Sequence, residues 1–174
     1  RELLIDQINT AYVRGQVYFE RDILAPQIGR LNVQAFRYDG YVARISSMKS
    51  YFNENMKMLD DVNVDALFSA GNPIYTKIRD DNPARYINGS KVSNIMAADG
   101  CIIEGEVENS ILFRGVKVGK GAWVKNCVLM QDTVIEADAG VEYVVTDKNA
   151  TITRGKIIKG TVTFPVYVAK YQIV

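Results

Sequence analysis

The chain has 174 residues, of which 48% are hydrophobic and 24% charged, a composition typical of soluble globular proteins. Its 21 Lys and Arg residues nearly balance its 20 Asp and Glu residues, so its charge gives no reason to expect a nucleic-acid or membrane partner. The sequence contains no histidine. That absence excludes histidine-dependent nucleophiles, histidine-liganded zinc and a histidine general base.

The two cysteines, Cys101 and Cys127, are too few for a disulfide framework or a cysteine-based zinc site. We therefore expect buried free thiols in a reducing cytoplasm. No apolar run approaches the ~18 residues that a membrane-spanning helix needs, and no signal peptide is recognisable. Because the first residue is Arg1 rather than Met, we expect a fragment or a processed product.

The first part of the chain, up to Asp60, carries mixed helix and strand signals. Apolar residues at positions 3, 4, 5 and 8 predict a short amphipathic helix. Alternation at positions 31, 33 and 35 predicts a strand, and the turn signal Asp39-Gly40 precedes a second predicted strand over residues 41–45. Ser46 or Ser47 can cap a helix that ends at Asp60-Asp61. The apolar face of that helix is expected to comprise Met48, Tyr51, Phe52, Met56 and Leu59.

A mixed unit of this size is small for an independent core, so residues 1–70 are expected to be the C-terminal remnant of a larger α/β domain. Residues 71–98 include a polar stretch interrupted by Pro73 and Pro83. Such punctuation is typical of a linker, and this segment is predicted to cross to the next domain.

The second half of the sequence repeats at a constant interval, and Val107, Val124 and Val141 begin three similar segments. We call the interval between these valines the regular step. Columns of one chemical kind lie at positions 101, 118, 135, 152 and 169, at 107, 124, 141 and 158, and at 111, 128, 145 and 162. The residues predicted to face inward are Val118, Val124, Met130, Ile135 and Val141. Within a repeat, aliphatic positions recur about every sixth residue and are followed by small residues, which is the hexapeptide pattern of a parallel β-helix. Residues 99–174 are therefore predicted to form a β-helix domain, which makes the chain mainly β.

An antiparallel meander with a hairpin in each half of the regular step would also give this period, although meanders rarely keep several columns aliphatic over four repeats. One column, at positions 113, 130, 147 and 164, reads Phe, Met, Asp and Phe. Asp147 thus stands where an apolar residue is expected. Either the corner is locally exposed there, or the pair Asp147-Lys148 has a function.

Seven motifs, in order along nearly the whole chain, resemble the glucose-1-phosphate adenylyltransferase (ADP-glucose pyrophosphorylase) family. They are Phe19–Leu24, Gly40–Ile45, Tyr51–Asn55, Pro83–Tyr86, Gly100–Ile103, Ser110–Phe113 and Asp147–Ala150. The resemblance implies that residues 1–70 end an α/β nucleotidyltransferase domain and that the β-helix is left-handed. It also implies that the whole enzyme makes ADP-glucose and diphosphate from ATP and glucose 1-phosphate in glycogen biosynthesis.

The chain departs from this family at Arg44, which a gap-free comparison places where catalytic members carry an aspartate that helps to hold Mg²⁺. A guanidinium cannot ligate a cation. We therefore expect no catalytic residue, metal or cofactor in this chain, and Mg²⁺ only in a catalytic subunit. The sequence resembles the regulatory type of subunit, whose expected partner is the catalytic subunit in a heterotetramer. Arg44 itself is either a phosphate contact or a solvated charge.

The resemblance also implies an effector site. In the family, a basic residue at the motif Asp147–Ala150 helps to bind a phosphorylated small molecule, which makes Lys148 the main candidate. Arg114 and Lys117 form a second basic pair, predicted on a neighbouring coil. The alternative is that all three are ordinary surface charges, with Lys148 paired to Asp147.

Two other functions stay open at this point. A hexapeptide-repeat acyltransferase uses the same β-helix, but such enzymes generally need a histidine base. A catalytic sugar-nucleotide transferase requires that Arg44 be misaligned, and Asp39 is then the only nearby carboxylate that could replace the missing one.

Overall fold

The computed structural model describes residues 1–69, 71, 73–75 and 80–174. It contains two compact units, Arg1–Asp39 and Gly40–Val174. Part of the predicted crossing segment, including Asn72, lies outside the described residues. No helix in the described part of the chain is long and apolar enough to span a membrane.

The first unit is helical. Helix α1 (Glu2–Val13) confirms the helix predicted from its apolar residues, and a π-helical segment, Phe19–Leu24, and a 3₁₀ turn, Ala25–Gln27, follow it. The Asp22 carboxylate accepts hydrogen bonds from the backbone N–H groups of Val17 and Tyr18, just before the π-helical segment. A hydrogen bond from the Arg21 guanidinium, together with these backbone bonds, holds the pKa of Asp22 well below its ordinary value.

Neither strand predicted in the first part of the chain forms. Residues 31–35 and 41–45 belong to no β-ladder among the described residues. The prediction was wrong because an alternating pattern of side chains is not enough to form a strand. The backbone N–H and C=O groups of a strand also need a neighbouring strand to bond to. An isolated hairpin is only marginally stable in water. Val33 is 46% exposed and Val42 is 70% exposed, so the alternating residues do not enter a core either.

Helix α2 (Met48–Met56) opens the second unit and confirms the predicted helix and its Ser47 cap. Ser47 Oγ accepts a hydrogen bond of 3.1 Å from the N–H of Ser50, and Ser50 Oγ accepts one of 2.9 Å from the N–H of Ser47. This capping box satisfies N–H groups that a helix start leaves unpaired. A 3₁₀ turn follows, and Asp60 then caps α3 (Asp61–Leu67), a helix that the sequence analysis did not predict.

Residues 85–174 form a parallel β-helix of short strands. Val107, Val124, Val141 and Ile158 are paired one over another on successive coils, as predicted. The strands are β1 (Arg85–Tyr86), β2 (Lys91–Ala97), β3 (Ile102–Ile103), β4 (Glu106–Leu112), β5 (Lys117–Val118), β6 (Trp123–Lys125), β7 (Val128–Leu129), β8 (Val134–Ile135), β9 (Gly140–Glu142), β10 (Val144–Thr146), β11 (Thr151–Ile152), β12 (Ile157–Lys159) and β13 (Val166–Val168). The parallel β-helix is confirmed and the antiparallel meander is excluded, while the left-handed sense stays a prediction.

The coils are not all of one length, and the predicted columns fail where the length changes. Ile103, and not Cys101, pairs with Val118, so this coil is shorter than the regular step. Val145 pairs with Tyr167 across a coil that is longer than the regular step, so Val162 does not continue that column. Every coil between these two has the predicted length.

The longer last coil also displaces two other predicted column members. Phe164 bridges to Thr161 in a turn outside the stacked strands and is 77% exposed. Ala169 does not follow Ile152, because the neighbouring Thr151 bridges to Ile173 instead. The insertion that causes both changes lies between β12 and β13.

Residues 85–97, predicted as part of the crossing segment, belong to the β-helix in the structure. Strand β1 pairs with β3, and Val92 in β2 pairs with Val107. A regular step back from Val107 falls on Ser90 and not on Val92, because the intervening coil is shorter than the others. The regular step therefore missed this first coil.

The coil turns at residues in the left-handed backbone region. At the tightest corner these are Asn94, Asn109, Asn126 and Tyr143, with φ of 48°, 46°, 50° and 51°. The side-chain amide of Asn94 donates a hydrogen bond of 2.7 Å to Oδ1 of Asn109, whose own amide donates to Oδ1 of Asn126. Asparagine suits this corner because it tolerates positive φ and because its amide can bond to the coils on both sides.

The aliphatic interior of the β-helix is closed to water, and α2 covers one outer side. Phe52 is 3% exposed and packs with Val128 and Val145, which are 0% exposed. Its ring centroid lies 6.2 Å from that of Tyr143, at a tilt of 59°. Tyr143 thus ends the asparagine row and supports the helix, which explains an aromatic residue at a corner with positive φ.

We predict that Asn109→Gly and Asn109→Ala destabilise the chain to different extents. Glycine keeps the positive φ but removes both amide hydrogen bonds, which should cost about 1–2 kcal/mol. Alanine loses the same bonds and adds backbone strain of about 1 kcal/mol. Urea unfolding of the three proteins measures the difference. Equal midpoints for the two variants would show that backbone conformation contributes nothing at this corner.

Candidate functional site

One corner of the β-helix carries a row of mainly basic residues on its surface. Arg114, Gln131, Lys148 and Lys170 occupy equivalent positions on successive coils, because the carbonyls of the first three accept backbone hydrogen bonds of 2.9–3.2 Å from the coil that follows. We call this row the basic corner. Lys148 and Lys170 are exposed, whereas Arg114 is half-buried.

The structure separates the candidates that the sequence placed on neighbouring coils. The coil of Gln131 lies between those of Arg114 and Lys148, so the two are roughly 10 Å apart along the stack. Lys117 is exposed on a flat side of the β-helix, in β5, between Ile102 and Val134. A regular step forward from Lys148 does not reach Lys170, because the coil that ends there is longer than the regular step.

Asp147 interrupts the apolar column because its carboxylate has partners at the surface. Oδ1 accepts a hydrogen bond of 2.7 Å from the N–H of Lys148, and Oδ2 accepts one of 3.0 Å from the hydroxyl of Tyr167. These bonds, with the positive charges of Lys148 and Lys170 nearby, lower the pKa of the Asp147 carboxyl. The carboxylate therefore orders the backbone beside Lys148 and ties it to the last coil.

Arg44 lies in the segment before α2, which has no regular secondary structure, and is exposed. Its side chain has no hydrogen bond or ion pair with any residue that the structure describes. Asp39 pairs with Arg37 at 2.7 Å between Oδ1 and Nε, with both side chains largely exposed. In the described part of the chain, no three His, Cys, Asp or Glu side chains are grouped closely enough to hold a metal ion. A phosphate contact by Arg44 stays a prediction.

Both cysteines are buried free thiols, as predicted. Burial raises the pKa of Cys127 to about 12, and its Sγ donates to the carbonyl of Lys125 at 3.0 Å. Burial also raises the pKa of Cys101. A thiol must ionise to act as a nucleophile, so these two residues are part of the packed interior and not of a reactive site.

Parallel coils with hexapeptide spacing, an aliphatic interior and turns at positive φ define a parallel β-helix protein of the hexapeptide-repeat class. The family model described as "GlmU-like, C-terminal hexapeptide" matches residues 78–161. Over 140 residues the chain is 40% identical to the glycogen biosynthesis protein GlgD of Bacillus subtilis (strain 168), a match that covers 80% of this chain and 41% of that protein.

Two relatives from Geobacillus stearothermophilus show the same relationship. A glycogen biosynthesis protein GlgD is 50% identical over 70 residues, which cover 40% of this chain and 20% of that protein. A glucose-1-phosphate adenylyltransferase is 36% identical over 122 residues, which cover 68% of this chain and 31% of that protein. The chain is therefore homologous to both kinds of protein, and it spans less than half the length of these curated relatives.

We predict that the stabilising effect of Asp147 depends on pH. The pKa of the Asp147 carboxyl is lower in the folded chain than in the unfolded one. The stabilisation that the carboxylate contributes is therefore fully present at a pH above the unfolded-state pKa of about 3.9, and it is lost as the pH falls through the folded-state pKa. Asp147→Asn should lower the urea midpoint at neutral pH, and the difference from the parent should disappear in acid. Tyr167→Phe should raise the pKa of Asp147, as followed by carboxyl NMR titration. A midpoint difference that stays constant with pH would contradict this account.

Proposed function

We propose that this chain is the C-terminal part of a regulatory subunit of glucose-1-phosphate adenylyltransferase, acting in glycogen biosynthesis in the cytoplasm. The observation that carries the proposal is the 40% identity with a glycogen biosynthesis protein over 80% of the chain, together with lower identity, 36%, to an adenylyltransferase. In this proposal the complete enzyme converts ATP and glucose 1-phosphate to ADP-glucose and diphosphate.

The character of Arg44 supports a subunit without catalytic activity. Nucleotidyl transfer accumulates negative charge on phosphoryl oxygens, and Mg²⁺ held by carboxylates neutralises that charge. Arg44 stands at the position that the family resemblance assigns to such a carboxylate, and its guanidinium would repel the ion. Turnover would then depend on Mg²⁺ in a catalytic partner subunit.

The surface of the β-helix supports a role in assembly. The inserted turn between β12 and β13 presents Val162, 55% exposed, and Phe164, 77% exposed. Apolar side chains grouped on a rigid surface are typical of contacts between subunits. We propose that this turn contributes to the interface with the catalytic subunit in a heterotetramer.

Co-expression with a glucose-1-phosphate adenylyltransferase of the same source tests the assembly. Light scattering after size-exclusion chromatography should show one complex, because the chain supplies a complementary surface. Phe164→Glu should reduce the yield of that complex at least tenfold, since a charge would replace an apolar contact. Lys156→Glu, which places the same charge at an exposed position outside this turn, is the matched control and should leave the yield unchanged.

Two results would contradict the proposal. The first is that the chain elutes separately from the catalytic subunit under all conditions. The second is that the protein carrying this chain forms ADP-glucose by itself at an appreciable rate with Mg²⁺, which would support the catalytic transferase instead.

The basic corner supports a further part of the proposal, the binding of a phosphorylated effector at Lys148. Its ammonium stands on a corner fixed by stacked strands and by the Asp147 hydrogen bonds, so little ordering is needed on binding. Arg114 and Lys170 add positive charge along the same row, and Lys117 adds it on the adjoining side.

We predict that Lys148→Ala weakens binding of a sugar phosphate about tenfold, the value of one charge-assisted hydrogen bond. Calorimetric titration of the assembled complex with fructose 1,6-bisphosphate and with glucose 6-phosphate measures the effect. Lys125→Ala removes one lysine from another side of the β-helix and is the matched control. Equal affinities for the parent and for Lys148→Ala would exclude Lys148 as an effector ligand.

A further inference from the structure

A cleft of about 710 Å³ opens at a second corner of the β-helix. At this corner, residues 87–90 connect β1 to β2 and residues 119–122 connect β5 to β6, but only Glu104 and Gly105 connect β3 to β4. The coil in the middle thus has a shorter connection than the coils on either side. We call the resulting recess the short-corner cleft.

The cleft is formed by the backbone itself. Gly105 lies at its floor, where a Cβ would come within 2.2 Å of the carbonyl oxygen of Ala122 and within 2.7 Å of that of Gly119. On the opposite wall a Cβ on Gly89 would meet no atom within 4 Å, so this wall faces open space. A recess of this origin needs no side-chain movement to open.

The backbone polar groups beside the floor are already paired. The N–H of Glu104 donates to the carbonyl of Val118 at 2.8 Å, and the N–H of Glu106 donates to that of Ala122 at 2.9 Å. The carbonyl of Gly105 accepts from the N–H of Lys91 at 3.1 Å. A peptide therefore cannot add here as an extra strand, and recognition has to come from side chains.

Trp123, the single tryptophan of the chain, supplies an apolar wall. Its indole lies against Gly140 on the next coil, with ring atoms 2.2–2.5 Å from where a Cβ would be. Lys159 Nζ lies over the ring, 5.2 Å from its centroid, so a sugar that stacks on this face has to displace the ammonium. The ring is half-buried and held in one orientation, so it can act as a stacking platform.

The charges that line the cleft cancel. Lys91, Lys120 and Arg154 face Glu104, Glu106 and Asp138. Two ion pairs account for four of them, Lys91 with Glu106 at 2.6 Å and Arg154 with Asp138 at 3.5 Å. The side chains of Glu104 and Lys120 have no such partner among the described residues, which leaves one acceptor and one donor.

We propose that the short-corner cleft binds a neutral carbohydrate. The C–H face of a pyranose ring would stack on Trp123, while its hydroxyls donate to the Glu104 carboxylate and accept from the Lys120 ammonium. Hydroxyls both donate and accept, so they match this pair of groups, whereas a cleft without net charge gives no advantage to a phosphate. The inference stands on the cleft alone and does not depend on the proposed function.

The fluorescence of Trp123 provides a direct test, because no other tryptophan contributes. Titration of the chain with maltotriose and with cellotriose should give a saturable change in emission for at least one of them, and inorganic phosphate should give none. Glu104→Gln and Lys120→Ala should each raise the dissociation constant about tenfold, as loss of a charge-assisted hydrogen bond implies. Lys125→Ala, on the same strand as Trp123 but outside the cleft, should leave the constant unchanged.

Gly140→Ala tests the platform without changing any charge. The added methyl group must displace the indole, so the emission of the free protein should shift and sugar binding should weaken at least tenfold. The proposal is overturned if neither trisaccharide binds, if phosphate binds in their place, or if Glu104→Gln and Lys120→Ala bind as the parent does. These results are independent of whether the chain assembles with a catalytic subunit.

Discussion

The hydrogen bonds between successive coils are the constraint on which the rest of the structure depends. They hold each flat side in register, so that Val107, Val124, Val141 and Ile158 stack whatever the connecting corners contain. Many of the turns contain a residue with positive φ, which is why asparagine, aspartate and glycine recur there. A corner can therefore lose or gain residues while the interior stays packed.

The surfaces with a candidate function follow from that freedom. The shortened connection at Glu104-Gly105 opens the short-corner cleft, and an insertion between β12 and β13 exposes Phe164. At the basic corner, the same insertion places Lys170 on the coil after that of Lys148. The interior is nearly uniform from coil to coil, so differences in recognition have to arise at corners.

How much the sequence could predict also depends on the corners. The middle coils, the Ser47 cap and the buried cysteines were predictable, because each depends on a local or strictly periodic signal. The displaced columns at Ile103 and Tyr167 were not, since a period of fixed length cannot detect a coil that is shorter or longer. The strands expected over residues 31–35 and 41–45 failed for another reason: a pattern of side chains does not supply a pairing partner.

The candidate sites were predictable to different degrees. Lys148 was identified from its motif, and Asp147 from the break in its column, but the partner Tyr167 lies across the irregular coil. The Trp123 platform does have a signal in the sequence. Trp123 and Gly140 are one regular step apart, and a large aromatic residue followed by glycine in one outward column indicates a ring lying over the next coil.

The two proposed sites lie at different corners of the β-helix, which separates the two proposals experimentally. The basic corner presents the exposed ammonium groups of Lys148 and Lys170, whereas the charges that line the short-corner cleft cancel, so a sugar phosphate and a neutral sugar should bind without competition. The basic corner also adjoins α2. Asp147 directly follows β10, and Val145 in β10 packs with Phe52 of that helix. Burial, together with the negative charge of Asp147, raises the pKa of Tyr51 on the same helix. A ligand at Lys148 would therefore act next to the helix that follows the Arg44 segment. The cleft lies at a different corner, and its residues do not belong to the cluster that packs around Phe52. An effector bound at Lys148, as proposed, would therefore lie beside α2, whereas a sugar bound in the short-corner cleft would not.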